Sequence, residues 1–357
     1  MLTRSLELVD LPPQRLNLPK PVVWVLQGPR AGDNAQAHGL ASRLEAQVVC
    51  KHLTFNNLHI LPSLFFGASA RTLETGSRSG LVPPWPDMVI AIGRRSAPVA
   101  RWIKQQSQGK TKAVHLGRPR TPLSAFDLVI TTPQYGLPPA ANVIEIPLPF
   151  VASRRVDALE LAAWRTEWAG LRRPRIAVAI GHAKFPLKLG RREARLLGQR
   201  LNSLADQMKG SLLLIPSPRS VPDVMARIEA ELSAPHLAYR TFDPQRNPYP
   251  AALVDCDHFV ATSDSISMIS ELISTGKPVD VFELPDRILK LEWRASSGVR
   301  AWLSRSGILQ PPRDVNGMVQ ALIQDGYVNV LGEQRKQVPL ERSDAVILER
   351  LKLLLRA

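Results

Sequence analysis

Residues 259–284 read FVATSDSISMISELISTGKPVDVFEL. The apolar run that ends at Thr262 shows no polar alternation, as expected of a strand buried on both faces of a parallel sheet. Ser263-Asp264-Ser265 make a polar turn, a helical stretch follows with Glu271 inside it, and Gly276 closes it before KPVDVFEL, a second apolar run. Strand, helix and strand in this order give two parallel strands joined by a right-handed crossover.

The same unit recurs on the N-terminal side. RIAVAIG (175–181), GSLLLIPS (210–217), HLAYRTF (236–242) and DHFVATS (257–263) are apolar runs separated mostly by helical patterns. An earlier series comprises PVVWVLQ (21–27), QVVCKHLTF (47–55), PDMVIAIG (86–93), KAVHLG (112–117) and FDLVITT (126–132). Between the two series, 148–175 starts with PLPF, continues as a tryptophan-bearing helical segment and ends in RRPR. The expected fold class is therefore α/β, with two Rossmann-like domains. Their bounds are 1–152 and 175–340, joined by a linker at 153–174, with a C-terminal helix at 341–357 that packs back on the first domain.

A chain of 357 residues fits two domains. Its two cysteines, Cys50 and Cys256, make no zinc or redox spacing, and a reducing cytoplasm is expected. Residues 1–20 hold no apolar run of the kind a signal peptide needs, and no stretch reaches 18 consecutive apolar residues. The net charge of +15 favours polyanionic partners. Eight basic residues and no acid lie between Asp87 and Asp127, either as a solvated helix face or as a docking surface for anions. Nucleic acid is not expected, because the basic stretches lack interleaved aromatics. LHILPSLFFG (58–67) follows no strict period; it reads as a core segment leading into a loop or as an exposed patch suited to a bilayer surface.

Several chemistries are excluded. No GxxxxGK[ST] occurs, Gly28-Pro-Arg-Ala-Gly32 is not GxGxxG, and no tyrosine precedes a lysine by four residues. Asp255-Cys256-Asp257-His258 is crowded with metal-ligand types, but neighbours on a strand point to opposite faces, so no metal site and no cofactor is expected.

Open α/β sheets bind ligands at the carboxyl ends of their strands. There, Ser263, Asp264 and Ser265 precede a helix whose free N–H groups suit a diphosphate, and Glu271 suits a ribose diol; the plainer reading is a capped helix. Ser217 and Arg219 follow another strand of the same series, where Arg219 would neutralise a leaving diphosphate without a metal. In the first series Gly28 and Gly32 allow close backbone approach, and Asp33 is either the base that deprotonates an acceptor hydroxyl or a helix cap. Arg94, Arg95 and Ser96 follow the strand ending at Gly93 and suit an acceptor phosphate, or are ordinary surface residues.

The segment 259–284 resembles the nucleotide-sugar half of glycosyltransferase-B enzymes, in which a Ser/Gly turn, a glutamate-bearing helix and a Gly-x-Pro strand bind uridine diphosphate. Nearly the whole chain resembles the bacterial ELM1-like family, named after a plant mitochondrial fission factor. The shared motifs are WVLQGPRAGDNAQAHGLA (24–41), PPWPDMVIAIGRRSAPVA (83–100), HLGRPRTPLSAFDLVITTPQY (115–135), NPY (247–249) and TSDSISMISELISTGKPV (262–279). A family loop of Gly-Gly-x-Ser type is replaced here by Gly181-His182-Ala183-Lys184, where Lys184 would supply charge instead. The resemblance implies two Rossmann-like domains facing across a cleft. It also implies a sugar transfer from a nucleoside-diphosphate sugar to an anionic, lipid-linked acceptor by a cytoplasmic protein resting on the inner membrane. A non-catalytic adaptor for a membrane-remodelling partner and a nucleotide-sugar epimerase are the alternatives.

Overall fold

The computed structural model describes residues 19–61, 63–151, 156–183, 186–286, 298–309, 312–333, 337–338 and 344–356. The first sheet is built from β1 (Val22–Gln27), β2 (Gln47–His52), β3 (Met88–Ile92), β4 (Lys112–Leu116), β5 (Leu128–Thr131) and β6 (Val143–Glu145), all parallel, in the order β2-β1-β3-β4-β5-β6. The second comprises β7 (Arg175–Ile180), β8 (Ser211–Pro216), β9 (His236–Ala238), β10 (His258–Thr262), β11 (Val279–Phe282) and β12 (Asn329–Val330). It is also parallel, in the order β9-β8-β7-β10-β11-β12. Each order reverses direction once, between β1 and β3 and again between β7 and β10, and such switch points are where doubly wound sheets open a crevice. The fold class is α/β with two Rossmann-like halves, as the apolar runs imply.

Strand period and burial agree. Val23 and Val25 belong to one cluster with Met88, Ile90 and Val114, while Trp24 and Leu26 belong to the other with Val89, Ala91 and Ala113. Alternate residues thus feed opposite faces, and both faces are covered. The helix Ala97–Gln106 closes one face through Ala97, Val99, Ala100 and Ile103. The other face takes Ala37 and Leu40 of the helix Ala31–Ala41, together with Ile347 and Leu351 of the C-terminal helix Asp344–Arg356. The end of the chain therefore contributes to the first half's core.

The stretch before β7 belongs physically to the second half. Trp164 and Trp168 are buried with Ala177, Phe259 and Ile269. Beneath them, Asp255 receives Arg165 at 2.7 Å, Arg173 at 3.0 Å and Arg175 at 2.6 Å, and Asp257 receives Arg173 at 2.6 Å. These carboxylates tie 165–175 to the amino end of the sheet. Among the described residues no cluster of His, Cys, Asp and Glu is arranged to hold a metal.

The apolar stretch near residue 60 forms two short 3-10 turns, Asn57–Ile60 and Ser63–Phe66. It does not fill a core: Ile60 is 67% and Phe65 79% exposed, and Leu58 and Leu61 are exposed too. Pro62 and the side chain of Leu64 lie outside the described residues. Among the described residues no helix is long and apolar enough to cross a membrane.

Candidate functional site

At the switch point of the second sheet the loops after β7 and β10 touch. Thr262 Oγ1 accepts from Gly181 N at 2.8 Å, and the Asp264 carboxylate rests where a Cβ on Gly181 would stand. Burial pushes the Asp264 carboxyl above the usual carboxylate range; the Thr262 hydroxyl, backbone N–H groups and the Arg219 charge pull the other way. Its Oδ1 is buried with no hydrogen-bond partner among the described residues. Ser263 is fully buried, and its hydroxyl accepts from Leu284 N at 2.9 Å, so this side chain braces the next loop instead of facing the cleft. Ser265, not Ser263 or Asp264, is the N-cap of the helix Ile266–Ile273. Its half-buried hydroxyl makes no capping bond, so the first-turn N–H groups, which lack intrahelical acceptors, have no side-chain cap from the N-cap residue.

Glu271 is the sixth residue of that helix, about 7.5 Å along its axis from the first. Ser267, four residues earlier, lies on the same face, and its Oγ accepts from Gln36 Nε2 of the first half at 2.7 Å. Glu271 is thus on the side of the helix that turns toward the first half. Beyond β8, the Ser217 and Ser220 hydroxyls are 2.9 Å apart, and Ser220 Oγ donates to Ile180 O at 2.6 Å. Ser217 therefore shapes the loop, while the Arg219 side chain is exposed and has no carboxylate in salt-bridge contact among the described residues.

The first sheet's switch point faces this one. Asn34 closes the loop after β1 by accepting from Gly28 N at 2.9 Å and donating to Gly28 O at 2.8 Å. Asp33 sits in the first turn of the helix Ala31–Ala41; the N-cap is Arg30, so Asp33 is free of the capping role. Its side chain is 33% exposed and lies 3.9 Å from Arg30 Nη1. Burial raises its pKa, and Arg30, Arg313 and Arg219 lower it in that order. Two of those three charges come from the second half. A Cβ at Gly32 would meet nothing within 4 Å, so protein packing does not demand glycine there.

Arg94 and Arg95 occupy the turn after β3, with Arg95 over the Phe55 ring at 5.9 Å. Ser96 is different: its buried hydroxyl donates to Ile92 O at 2.7 Å and Gly93 O at 3.2 Å, holding the strand end instead of presenting an oxygen. Beneath these turns His115 is fully buried, with its ring nitrogens 3.3 Å from Gly93 O and Gly117 O. Burial brings its pKa down to about 4, so the ring is neutral and only one of the two contacts is a donated bond.

Sequence reasoning missed four arginines here. Arg30 follows β1, and Arg118 and Arg120 follow β4 beyond Gly117, which has φ of +75° and lies against Tyr135. The logic that singled out Arg94 after Gly93 applies equally to Arg118 and Arg120. Arg313 arrives from the second half: its Nε donates to Gln134 Oε1 at 3.1 Å and its guanidinium stacks 5.2 Å from the Tyr135 ring. Arg118 lies 5.8 Å from the same ring. Lys184, which would have replaced the missing serine loop, lies outside the described residues.

A family model described as mitochondrial fission ELM1 matches residues 31–340. The mitochondrial fission protein ELM1 of Arabidopsis thaliana is 32% identical over 226 residues, 55% of this chain and 51% of the plant protein. The match thus spans about half the length of that relative. An uncharacterized protein of Rickettsia prowazekii is 24% identical over 304 residues, covering 74% of this chain and 84% of its own. Among solved structures, a Listeria monocytogenes protein assigned as a UDP-N-acetylglucosamine 2-epimerase superposes with a TM-score of 0.50 at 11% identity, over 95% of this chain and 88% of that one. That likeness concerns the fold alone: two facing Rossmann-like halves of the glycosyltransferase-B type.

Proposed function

The chain belongs to the mitochondrial fission ELM1 family, and from that premise we propose that it is a metal-independent glycosyltransferase of the glycosyltransferase-B type. The observation that carries the reading is that Gln36, in the helix after one switch point, donates to Ser267, in the helix after the other, at 2.7 Å, with Arg219 acting on both Asp33 and Asp264. The two sheet edges therefore converge, as a substrate held from both sides would need.

In this reading the diphosphate of a nucleoside-diphosphate sugar sits on the first-turn N–H groups beside Ser265, and Glu271 accepts from the ribose hydroxyls. Ser263, Asp264 and Ser217 hold the loops that make this surface. The acceptor hydroxyl gives its proton to Asp33, whose carboxyl is raised by burial and so better suited to general-base work than an exposed aspartate. The freed oxygen pair bonds the sugar's anomeric carbon from the side opposite the diphosphate. The bond from that carbon to the diphosphate oxygen breaks, its electron pair stays on the oxygen, and Arg219 neutralises the charge. Arg94 and Arg95 hold an anionic, lipid-linked acceptor over Gly32.

The exposed Ile60 and Phe65, with the basic residues of 94–120, would rest the first half on the anionic inner leaflet. The same exposed patch favours a second reading, a non-catalytic adaptor, which accords with the printed name of the plant relative. An epimerase would share the donor site but need no acceptor. Melting curves with a panel of nucleoside diphosphates separate the readings: an enzyme of either kind is stabilised by one of them through mass action, and the adaptor by none.

A further inference from the structure

Three neighbouring strands of the first sheet, β1, β3 and β4, each deliver arginine at their carboxyl ends: Arg30, then Arg94 and Arg95, then Arg118 and Arg120. Adjacent strands lie about 4.8 Å apart, so these turns crowd one edge. Arg313 joins them from the second half, across Tyr135 from Arg118. Arg94, Arg95 and Arg313 have no carboxylate in salt-bridge contact among the described residues, and Asp33 is the one carboxylate among these turns. Arg120 is held in the left-handed region at φ 56°, a conformation uncommon for a side chain of its size.

The guanidinium groups sense one another. Burial first, then Arg94 and Arg30, lower the pKa of Arg95, and the same causes act in the same order on Arg120. Burial, Arg120 and Arg313 bring Arg118 to about 10, against the opposing pull of Tyr135. Like charges gathered this way are stabilised by a compact polyanion, and the planar guanidinium fork suits phosphate oxygens. One phosphate group reaches fewer of these guanidinium groups, whereas a diphosphate carries more charge and is long enough to meet turns from several strands.

We propose that the arginines after β1, β3 and β4, completed by Arg313 of the second half, form a site for a diphosphate ester on the acceptor, separate from the donor diphosphate at Ser265. This rests on the transferase reading for the word acceptor, but the anion site itself does not depend on it. Because Arg313 comes from the opposite half, a bound diphosphate ties the two halves together.

Calorimetry with inorganic pyrophosphate, orthophosphate and farnesyl diphosphate tests it, using wild type, Arg313→Gln, the double variant Arg94→Gln/Arg95→Gln, and Arg195→Gln, an exposed arginine paired with Glu231. Pyrophosphate should bind more tightly than orthophosphate by about tenfold or more, and either arginine variant should lose about tenfold. Arg195→Gln should bind pyrophosphate as wild type does. Tighter binding of farnesyl diphosphate assigns a lipid-linked ester, and equal binding assigns a soluble one. Unchanged pyrophosphate affinity in both arginine variants, or a preference for orthophosphate, overturns the site. If nucleoside diphosphates fail to bind while the arginine-dependent pyrophosphate site persists, the donor reading falls and this one stands.

Discussion

The Asp264 carboxylate lies against the Cα of Gly181, in the space that any side chain at Gly181 would need. The two residues come from the loops after β7 and β10, on either side of the second sheet's switch point, so their contact sets the floor of the cleft. Gly181→Ala should destabilise the protein by about 1–3 kcal/mol through overpacking. Asp264→Gly in the same chain should restore most of that loss, because the atoms in conflict are gone. Urea unfolding of both singles and the double variant measures the coupling; additive effects would place the strain elsewhere.

His115 makes stability depend on pH. Its folded pKa of about 4 lies below the ordinary 6.5, so between these values the unfolded chain binds a proton that the native state refuses. Stability from this residue is therefore complete above pH 6.5 and falls as pH drops toward 4, by about 3 kcal/mol in all. His115→Gln should flatten that part of a stability–pH curve, with the remaining carboxylates still titrating in both proteins.

The C-terminal helix should matter to the half of the molecule that is remote in sequence. Leu351 is fully buried among Val23, Val25, Leu40 and Met88, and Leu351→Ala should cost about 2–5 kcal/mol. Proteolytic cleavage between the halves should fall before the helix Ala158–Glu167, which packs on the second half, and the fragment ending there should not stay folded once 344–356 is removed. A fragment of the first half that is stable alone would contradict this packing.

Vesicle sedimentation checks the docking surface. The protein should bind anionic vesicles more than neutral ones, and salt should weaken the attraction. Ile60→Ser and Phe65→Ser together should leave folding intact, since both are exposed, but should remove the binding that survives high salt. Each inserted side chain is worth about 1.5–3 kcal/mol, so the loss should exceed tenfold. Equal binding to neutral and anionic vesicles would remove the arginines and lysines of 94–120 from the surface.

The fold was legible because its strands are buried on both faces. VVWVLQ and HFVAT are almost unbroken apolar runs, which only a covered parallel sheet explains. Several carboxyl ends were legible too, because those runs stop at a glycine or serine that opens a turn, as at Gly28, Gly93, Gly117, Gly181, Ser217 and Ser263. Side-chain direction was not: Ser96 and Ser263 stand at the right edge, but hydrogen bonds to Ile92 O and from Leu284 N turn their hydroxyls into the protein. Arg313 was invisible for another reason. It lies far from any strand run, and its place beside Tyr135 depends on how the halves dock, which no local pattern encodes. The stretch 156–174 reads as a connection because it is polar and helical, yet its two tryptophans bury themselves in the second core.

The central claim is that a nucleoside diphosphate binds between Ser265 and Glu271. Isothermal titration of wild type, Ser265→Ala and Glu271→Ala with uridine, guanosine, cytidine and thymidine diphosphates tests it directly. One nucleotide should bind the wild type below millimolar concentration. A charge-assisted hydrogen bond contributes about 1.5–3 kcal/mol, so each variant should lose about ten- to a hundredfold in affinity. Ser265→Ala should weaken the diphosphate more than the nucleoside, and Glu271→Ala should weaken both, with the melting temperature of each apo protein unchanged. If none of the four diphosphates binds the wild type below millimolar concentration, the donor site does not exist and the adaptor reading replaces it.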